Sequence, residues 1–265
     1  MKRIEYNGKA AELFDSTTEL LKTLDARNYV MDEWYMHRRG ERDGYDKHWA
    51  GYDTYDAATN DMIHGIQKQV NALKVKTTPA ANSNMPRPYM DVIGYAPDVP
   101  AALAGIPENM CNIELCDNTP VITLFIDCAR NAMATTKQIA EYGRRVVGYI
   151  KALELNGVRV NVYCIECMNR EITRSILGLK VKDAAAPLDI KRLTFPLMSA
   201  AMLRIIGFDW YERTELPEHY SGYGQEVSRY DNDGTMELIK RIDKNAVYVN
   251  HYTDFDTLKI DAPAR

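Results

Sequence analysis

The sequence lacks the features that would place it in a membrane or outside the cell. No window approaches the roughly 20 apolar residues that a membrane-spanning helix needs, and the first 14 residues contain no apolar segment of the kind found in a secretory signal. The five cysteines are an odd number, which fits free thiols in a reducing compartment better than a set of disulfides. We therefore expect no membrane association and a cytoplasmic location.

Clustered positive charge and enzyme motifs are also scarce. The chain has 33 Lys and Arg against 37 Asp and Glu, a formal net charge of −4, whereas a surface that binds nucleic acid through its phosphates needs several clustered cations. A Gly-rich phosphate loop, Gly-x-Ser-x-Gly and His-Glu-x-x-His are all absent. A site assembled from distant residues leaves no motif, so these absences remove the positive evidence for an enzyme without excluding one.

A βαβ unit between residues 121 and 165 is the clearest feature that is present. Residues 121–127 read VITLFID, an apolar run typical of a strand covered on both faces. A turn of small residues, a helix at residues 135–157 and a second strand at residues 158–165 follow. This order predicts two adjacent parallel strands. Because ligands gather at the carboxyl ends of parallel strands, Asp127 and the turn after it occupy the expected place of a site.

The unit resembles a von Willebrand factor A domain, in which a strand ends in Asp-x-Ser-x-Ser and those side chains hold a divalent metal. The matching residues here are Asp127, Cys128, Ala129, Arg130 and Asn131. Ala129 has no side-chain oxygen, Asn131 offers an amide oxygen in place of a hydroxyl, and Arg130 brings a cation close to the ion. Since Mg²⁺ needs several oxygen ligands in near-octahedral geometry, we expect this metal site to be broken.

Short stretches elsewhere carry a second resemblance. Residues 49–52 (WAGY), 97–100 (PDVP), 105–110 (GIPENM), 187–189 (PLD) and 202–204 (MLR) are similar to a family of uncharacterised proteins encoded by tailed bacteriophages. The resemblance covers most of the chain from about residue 49 to residue 208. It implies a phage origin, the bacterial host cytoplasm as the location and a von Willebrand A-like core, and it implies no activity.

These observations predict an α/β protein with a von Willebrand A-like, mostly parallel sheet, flanking helices and an N-terminal helical extension. We place the extension and its loop at residues 1–90 and the core at residues 91–265. A capping box that starts at Ser16 predicts the first helix of the extension. The proline-rich residues 91–120 are predicted to form an irregular packed collar.

The last part of the core is predicted to contain an antiparallel edge strand at residues 175–181, helix at residues 187–206 with a kink or break at Pro196, a helix at residues 234–244 and a strand at residues 246–250.

A residual Mg²⁺ site has few candidate ligands. A predicted loop at residues 231–234 brings Asp231 and Asp233 to the edge of the sheet where Asp127 lies, and Asn131 adds an amide oxygen. In the alternative interpretation Asp127 caps the following helix or pairs with Arg130, and the loop is a solvated turn. We expect the alternative and no resident cofactor, because loss of the two serines removes two oxygen ligands.

Tyrosine is abundant, with 17 Tyr against 5 Phe. Aromatic residues concentrate in one segment that is also rich in Gly and Ser, at Trp210, Tyr211, Tyr220, Tyr223 and Tyr230. This composition is typical of adaptable contact surfaces, and it equally fits rings that pack on the core while their hydroxyls reach water.

We expect the protein to bind another protein through this aromatic segment, with self-association as one form of that binding, and to have no catalytic activity. The alternative is a nucleic-acid-associated protein or a metal-dependent nuclease that uses the carboxylates at the top of the sheet. A positively charged groove beside Asp127 and Asp233 would favour nucleic acid, whereas a neutral aromatic patch would favour protein.

Overall fold

The computed structural model describes residues 1–30, 47–73, 87–114, 120–131, 133–168, 175–215, 232–255 and 258. In chain order the elements are β1 (Lys2–Tyr6), β2 (Lys9–Phe14), α1 (Thr17–Ala26), α2 (Lys47–Ala50), α3 (Tyr55–His64), α4 (Gln67–Leu73), β3 (Arg87–Asp91), β4 (Ala96–Pro97), α5 (Val99–Leu103), β5 (Met110–Glu114), β6 (Val121–Asp127), α6 (Thr136–Leu155), β7 (Arg159–Met168), β8 (Ser175–Lys182), α7 (Ile190–Met198), a π-helix (Met202–Gly207), α8 (Phe208–Arg213), α9 (Asn232–Ile242) and β9 (Val247–Val249).

The fold is mixed α/β, with a mostly parallel central sheet and flanking helices. Within the described residues, the central sheet has six strands in the order β1-β2-β8-β7-β6-β9, and a second sheet has three strands in the order β3-β5-β4. None of the helices in the described ranges combines the length and the apolar character needed to cross a membrane.

The predicted βαβ unit is confirmed. β6 and β7 are parallel neighbours, in register from Val121 opposite Arg159 to Asp127 opposite Ile165, and α6 connects them. β9 pairs in parallel with the other side of β6, so β6 is an internal strand. Its alternate side chains enter two apolar clusters, one shared with α6 and α7 and the other with α9. This double coverage explains why the strand is apolar along its length.

The N-terminal residues add two strands that the sequence analysis did not predict. β1 and β2 form an antiparallel hairpin, and Asn7 and Gly8 in its turn have φ of 49° and 71°, as a two-residue type I′ hairpin turn requires. β2 then runs parallel to β8 inside the central sheet. The N-terminal segment is therefore part of the same sheet as β6, and the helix predicted after Ser16 is present as α1.

The position of β8 differs from the prediction in one respect. β8 is antiparallel to β7, as predicted. It is not an edge strand, because β2 pairs with its other side. The edges of the central sheet are β1 and β9.

Helix boundaries in the last third of the chain also differ from the predictions. α7 contains Pro196 and ends at Met198, and the π-helix begins at Met202, so the predicted break occurs just after the proline. α9 begins at Asn232, so residues 232–234, predicted as loop, form its first turn. Asn and Asp favour helix starts as well as turns, and composition alone does not separate the two.

Candidate functional site

Asp127 ends β6 in a position where its carboxylate is fully engaged by the protein. Oδ1 accepts a hydrogen bond from the amide of Ala129 at 2.9 Å, and Oδ2 accepts one from the hydroxyl of Tyr248 on β9 at 2.8 Å. The side chain is buried, and burial raises the pKa of Asp127, partly opposed by the nearby charge of Arg130. The carboxylate therefore fastens the turn after β6 and the neighbouring strand.

Arg130 is a buried cation directly after this turn. Its Nη1 donates to the backbone oxygens of Asp127, at 2.9 Å, and of Ala129. Its guanidinium carbon lies 4.1 Å from the centre of the Tyr142 ring on α6. Burial lowers the pKa of Arg130, but the charges of Tyr142 and Asp127 outweigh this effect and the net pKa is raised. The side chain stays charged, so a fixed positive charge sits at the carboxyl end of the sheet.

A second buried carboxyl, that of Glu166 on β7, has no such engagement. Both of its oxygens are buried and lack a hydrogen-bond partner among the residues that the structure describes. Burial raises the pKa of Glu166 well above its ordinary value, and the neighbouring Cys128 and Asp127 raise it further. Burial therefore favours the protonated, uncharged form of this side chain. Sequence analysis did not single out Glu166, because one acidic residue in a strand has no recognisable pattern.

The residues at this edge do not fit a divalent metal. Both oxygens of Asp127 are taken, and Asn131 Oδ1 accepts a hydrogen bond from the amide of Met133 at 2.7 Å. Arg130 adds a repulsive charge. Within the described ranges no group of three or more His, Cys, Asp or Glu is placed to hold an ion.

The other two candidate ligands are Asp231 and Asp233. Asp231 lies outside the described residues, and Asp233 lies in the first turn of α9 and not in a loop. The expectation that the protein has no resident metal stays a prediction.

A cavity of about 460 Å³ opens beside Arg130. Its polar lining comes from the turn after β6, from α6 and from the segment after β9, and consists of Arg130, Asn131, Gln138, Glu141, Tyr142, Arg145 and His251. Tyr142 is nine-tenths buried and its hydroxyl lacks a hydrogen-bond partner among the described residues. Arg204 stabilises the turn, because its Nη2 donates to the backbone oxygens of Asn131 and Ala134, each at 3.2 Å.

The aromatic residues predicted to form a contact surface do not all lie on a surface. Trp210 and Tyr211 are on α8 and are 0% and 3% exposed. The indole Nε1 of Trp210 donates to Glu12 Oε2 on β2 at 2.8 Å. These two rings are core residues, which corrects their proposed role in binding, because a buried ring offers no area to a partner.

The other three aromatic candidates, Tyr220, Tyr223 and Tyr230, lie outside the described residues, so their role stays a prediction.

The small sheet and its connections carry eight of the 15 exposed large hydrophobic residues in the described part of the chain, a concentration that was not predicted. β3 and β5 pair with Met90 opposite Cys111 and Pro88 opposite Ile113, and β4 adds Ala96 opposite Cys111. Residues opposite one another, and residues two apart, share a face. One face of the sheet therefore carries Pro88, Met90, Ala96, Cys111 and Ile113, which we call the apolar face.

No side chain of residues 88–113 is buried, although all of them are described. Ile93 and Leu103 are 77% and 84% exposed, and none of these residues belongs to the two apolar clusters of the core. We call residues 88–113 the small-sheet segment. Residues 91–120 were expected to form a packed collar, and the structure contradicts this for residues 91–113, because none of their side chains is buried.

Comparison with known proteins places the chain in a family without assigning it an activity. A search of curated proteins found no match, and a search of solved structures found no match. A family profile matches residues 2–260, nearly the whole chain. The chain therefore belongs to the family described as "Domain of unknown function (DUF7192)".

Proposed function

We propose that this protein is a non-catalytic binding protein that docks a partner protein on the small-sheet segment. The observation that carries the proposal is the absence of any buried side chain among residues 88–113. Three strands need a covered apolar face to be stable by themselves, and large exposed apolar patches are uncommon on monomeric proteins unless they serve an interaction. A partner that covers the apolar face supplies the missing core.

The charge of the segment indicates what the partner looks like. Residues 88–113 contain Asp91, Asp98 and Glu108 and no Lys or Arg. A complementary partner presents an apolar surface bordered by Lys or Arg, because opposite charges at the rim speed association and suppress wrong partners. A second copy that met this segment face to face would oppose two sets of three carboxylates, so we assign the surface to a different protein.

The scaffold in this proposal is von Willebrand A-like, in a protein of phage origin. The support is the acidic end of an internal strand, the parallel neighbours of β6 and the antiparallel third strand β8. The carboxylate that such a scaffold would offer to a metal is used internally by the amide of Ala129 and the hydroxyl of Tyr248. Binding in this proposal is therefore independent of metal and does not use Asp127.

Differential capture tests the proposal. The test variant combines Met90→Thr, on the apolar face in β3, with Leu103→Gln in α5, which removes two exposed apolar side chains while keeping a strand-compatible and a helix-compatible residue. The matched control combines Ile63→Gln with Leu155→Gln, which are 53% and 37% exposed and lie outside both the small-sheet segment and the lining of the cavity beside Arg130. We expect a protein from host extract that the wild type and the control retain equally and that the test variant retains at least about tenfold less, as loss of anchor residues implies.

Two results would contradict the proposal. One is equal capture of the same protein by the test variant and the control. The other is a dimer of the wild type, seen by light scattering, that the test variant abolishes, because the occupant of the surface would then be a second copy.

A further inference from the structure

The cavity beside Arg130 has no role in docking at the small-sheet segment, and its lining has a consistent chemistry. Among the described residues, the Arg130 guanidinium hydrogen-bonds to no carboxylate: its Nη1 donates to two backbone oxygens, and the group also contacts Tyr142. Arg145 lines the same cavity from the exposed side of α6, with its guanidinium carbon 5.5 Å from the centre of the Phe255 ring.

The lining of the cavity carries a net positive charge, because Arg130 and Arg145 are opposed in it only by Glu141. The carboxyl group of Asp127 is not part of the lining and interacts with Arg130 from the end of β6. Arginine is the side chain best suited to carboxylate and phosphate oxygens, because its planar group presents paired N–H donors.

The ring of Tyr142 holds Arg130 in place at the cavity. The guanidinium carbon of Arg130 lies 4.1 Å from the centre of this ring, and both residues line the cavity. Met133, Ala134 and Ile139 provide an apolar wall next to these polar groups.

We propose that this cavity binds a small organic molecule through a carboxylate or phosphate group held by Arg130 and Arg145. The apolar wall accommodates the remainder of the molecule. The charge at the end of β6 is thus opposite to that required by a metal site, because the guanidinium of Arg130 is a fixed cation where such a site would hold a metal cation. A volume of about 460 Å³ is within the range of small-molecule sites.

Titration calorimetry with two probes, benzoate and inorganic phosphate, tests this site. We expect at least one probe to bind at millimolar or lower concentration. Binding of benzoate alone identifies a carboxylate with an apolar part as the ligand class, and binding of phosphate identifies an oxyanion that needs no apolar part.

The decisive comparison is between Arg145→Gln and its neighbour Arg144→Gln. Both arginines are exposed on α6, but Arg144 does not line the cavity and instead donates to Gln69 Oε1 at 3.1 Å. Arg145→Gln should weaken the bound probe at least about tenfold, the effect of losing one charge-assisted hydrogen bond, whereas Arg144→Gln should change it less than about twofold.

Absence of binding by both probes to the wild-type protein would overturn the proposal. Equal weakening by Arg144→Gln and Arg145→Gln would overturn it as well, because the effect would then come from net charge and not from the cavity. Capture of a partner by the small-sheet segment is unaffected by either result, so the two proposals fail separately.

Discussion

Buried carboxyl groups in this protein differ in their donors, and the difference sets how each responds to pH. Glu12 on β2 accepts from Arg27 through both of its oxygens, at 2.8 and 3.0 Å, from Trp210 at 2.8 Å and from Arg3 at 3.2 Å. Burial raises the pKa of Glu12, but the hydrogen bonds from Arg27 and Trp210 outweigh it and the net pKa is lowered. Glu166 has no donor within the described ranges, and burial alone is enough to raise its pKa.

Glu12→Gln should destabilise the fold by about 3 kcal/mol at pH 7, because it removes one partner of a buried ion pair. When folding lowers the pKa of an acid, the acid stabilises the fold at pH values above its unfolded-state pKa. That stabilisation is lost as the pH falls through the folded-state pKa. The difference between wild type and variant should therefore shrink below about pH 4.3, the ordinary value for glutamate. Urea unfolding at pH 7 and pH 3 measures both effects, and an equal difference at the two pH values would refute this explanation.

Glu166→Gln should stabilise the protein, and the gain should grow with pH. When folding raises the pKa of an acid, stability is unaffected at pH values below the unfolded-state pKa, which is about 4.3 for glutamate. Stability then falls as the pH rises from there toward the folded-state pKa. Glutamine cannot ionise, so the variant escapes this loss. We expect a larger rise in melting temperature at pH 8 than at pH 5. Glu141→Gln, at an exposed position on α6, is the control and should show no such trend; an identical gain at both pH values would argue against an uncharged Glu166.

At the scale of elements, two glycines in α6 distinguish the effect of helix propensity on stability from the effect of packing against α7. A Cβ on Gly143 would meet the carbonyl oxygen of Leu197 in α7, whereas a Cβ on Gly148 would meet open space. Gly148→Ala should therefore stabilise the protein by about 1 kcal/mol, and Gly143→Ala should destabilise it by about 1–3 kcal/mol. Urea unfolding compares the two, and similar values for both variants would mean that α6 and α7 are not in close contact.

The elements that could be predicted from the sequence are those whose residues all point to one structure. The apolar run of β6 and the capping box of α6, in which Thr135 and Gln138 bond reciprocally, belong to this class. β2 was missed because Lys9 and Glu12 interrupt its pattern, and both charges are compensated by residues far away in sequence, Glu237 and Arg27. No local pattern can reveal such partners.

Proline misled the prediction of the small sheet. Pro88 and Pro97 lie in β3 and β4, the two edge strands of that sheet, where a missing backbone donor is tolerated. The sequence analysis treated the prolines as evidence for irregular structure. It also could not see that the apolar residues of this region are exposed, since exposure depends on what packs nearby.

The sequence predicted where the candidate site lies but not which groups bond to one another there. Asp127 is at the carboxyl end of the internal strand, as expected. Its hydrogen-bond donors are Ala129 and Tyr248. Tyr248 lies on β9, about 120 residues later in the chain, so the sequence around Asp127 does not reveal this partner. Trp210 illustrates the same limit, because the composition of its segment fits an exposed ring and a packed ring equally.

At the scale of the whole molecule, stability should not depend on divalent cations. Specific binding to the folded state raises the melting temperature with the logarithm of ligand excess. Because both oxygens of Asp127 are bonded within the protein, we expect millimolar Mg²⁺ or Mn²⁺ to leave the melting temperature unchanged. A rise that disappears in Asp127→Ala would show that the carboxylate can release its internal donors to a metal.

Docking on the small-sheet segment is the central claim about the molecule as a whole, and it has a direct physical signature. Because residues 88–113 have no buried side chain, their backbone hydrogen bonds should open readily in the free protein, and amide exchange there should be fast compared with β6 and β7. A bound partner that covers the apolar face should slow it.

Hydrogen exchange of the free protein and of its complex with the captured partner therefore provides the most direct test. The account predicts that peptides within residues 88–113 gain protection in the complex, while peptides from β6, β7 and α6 are unchanged. Protection confined to any other part of the chain, with residues 88–113 exchanging as fast as in the free protein, would contradict it.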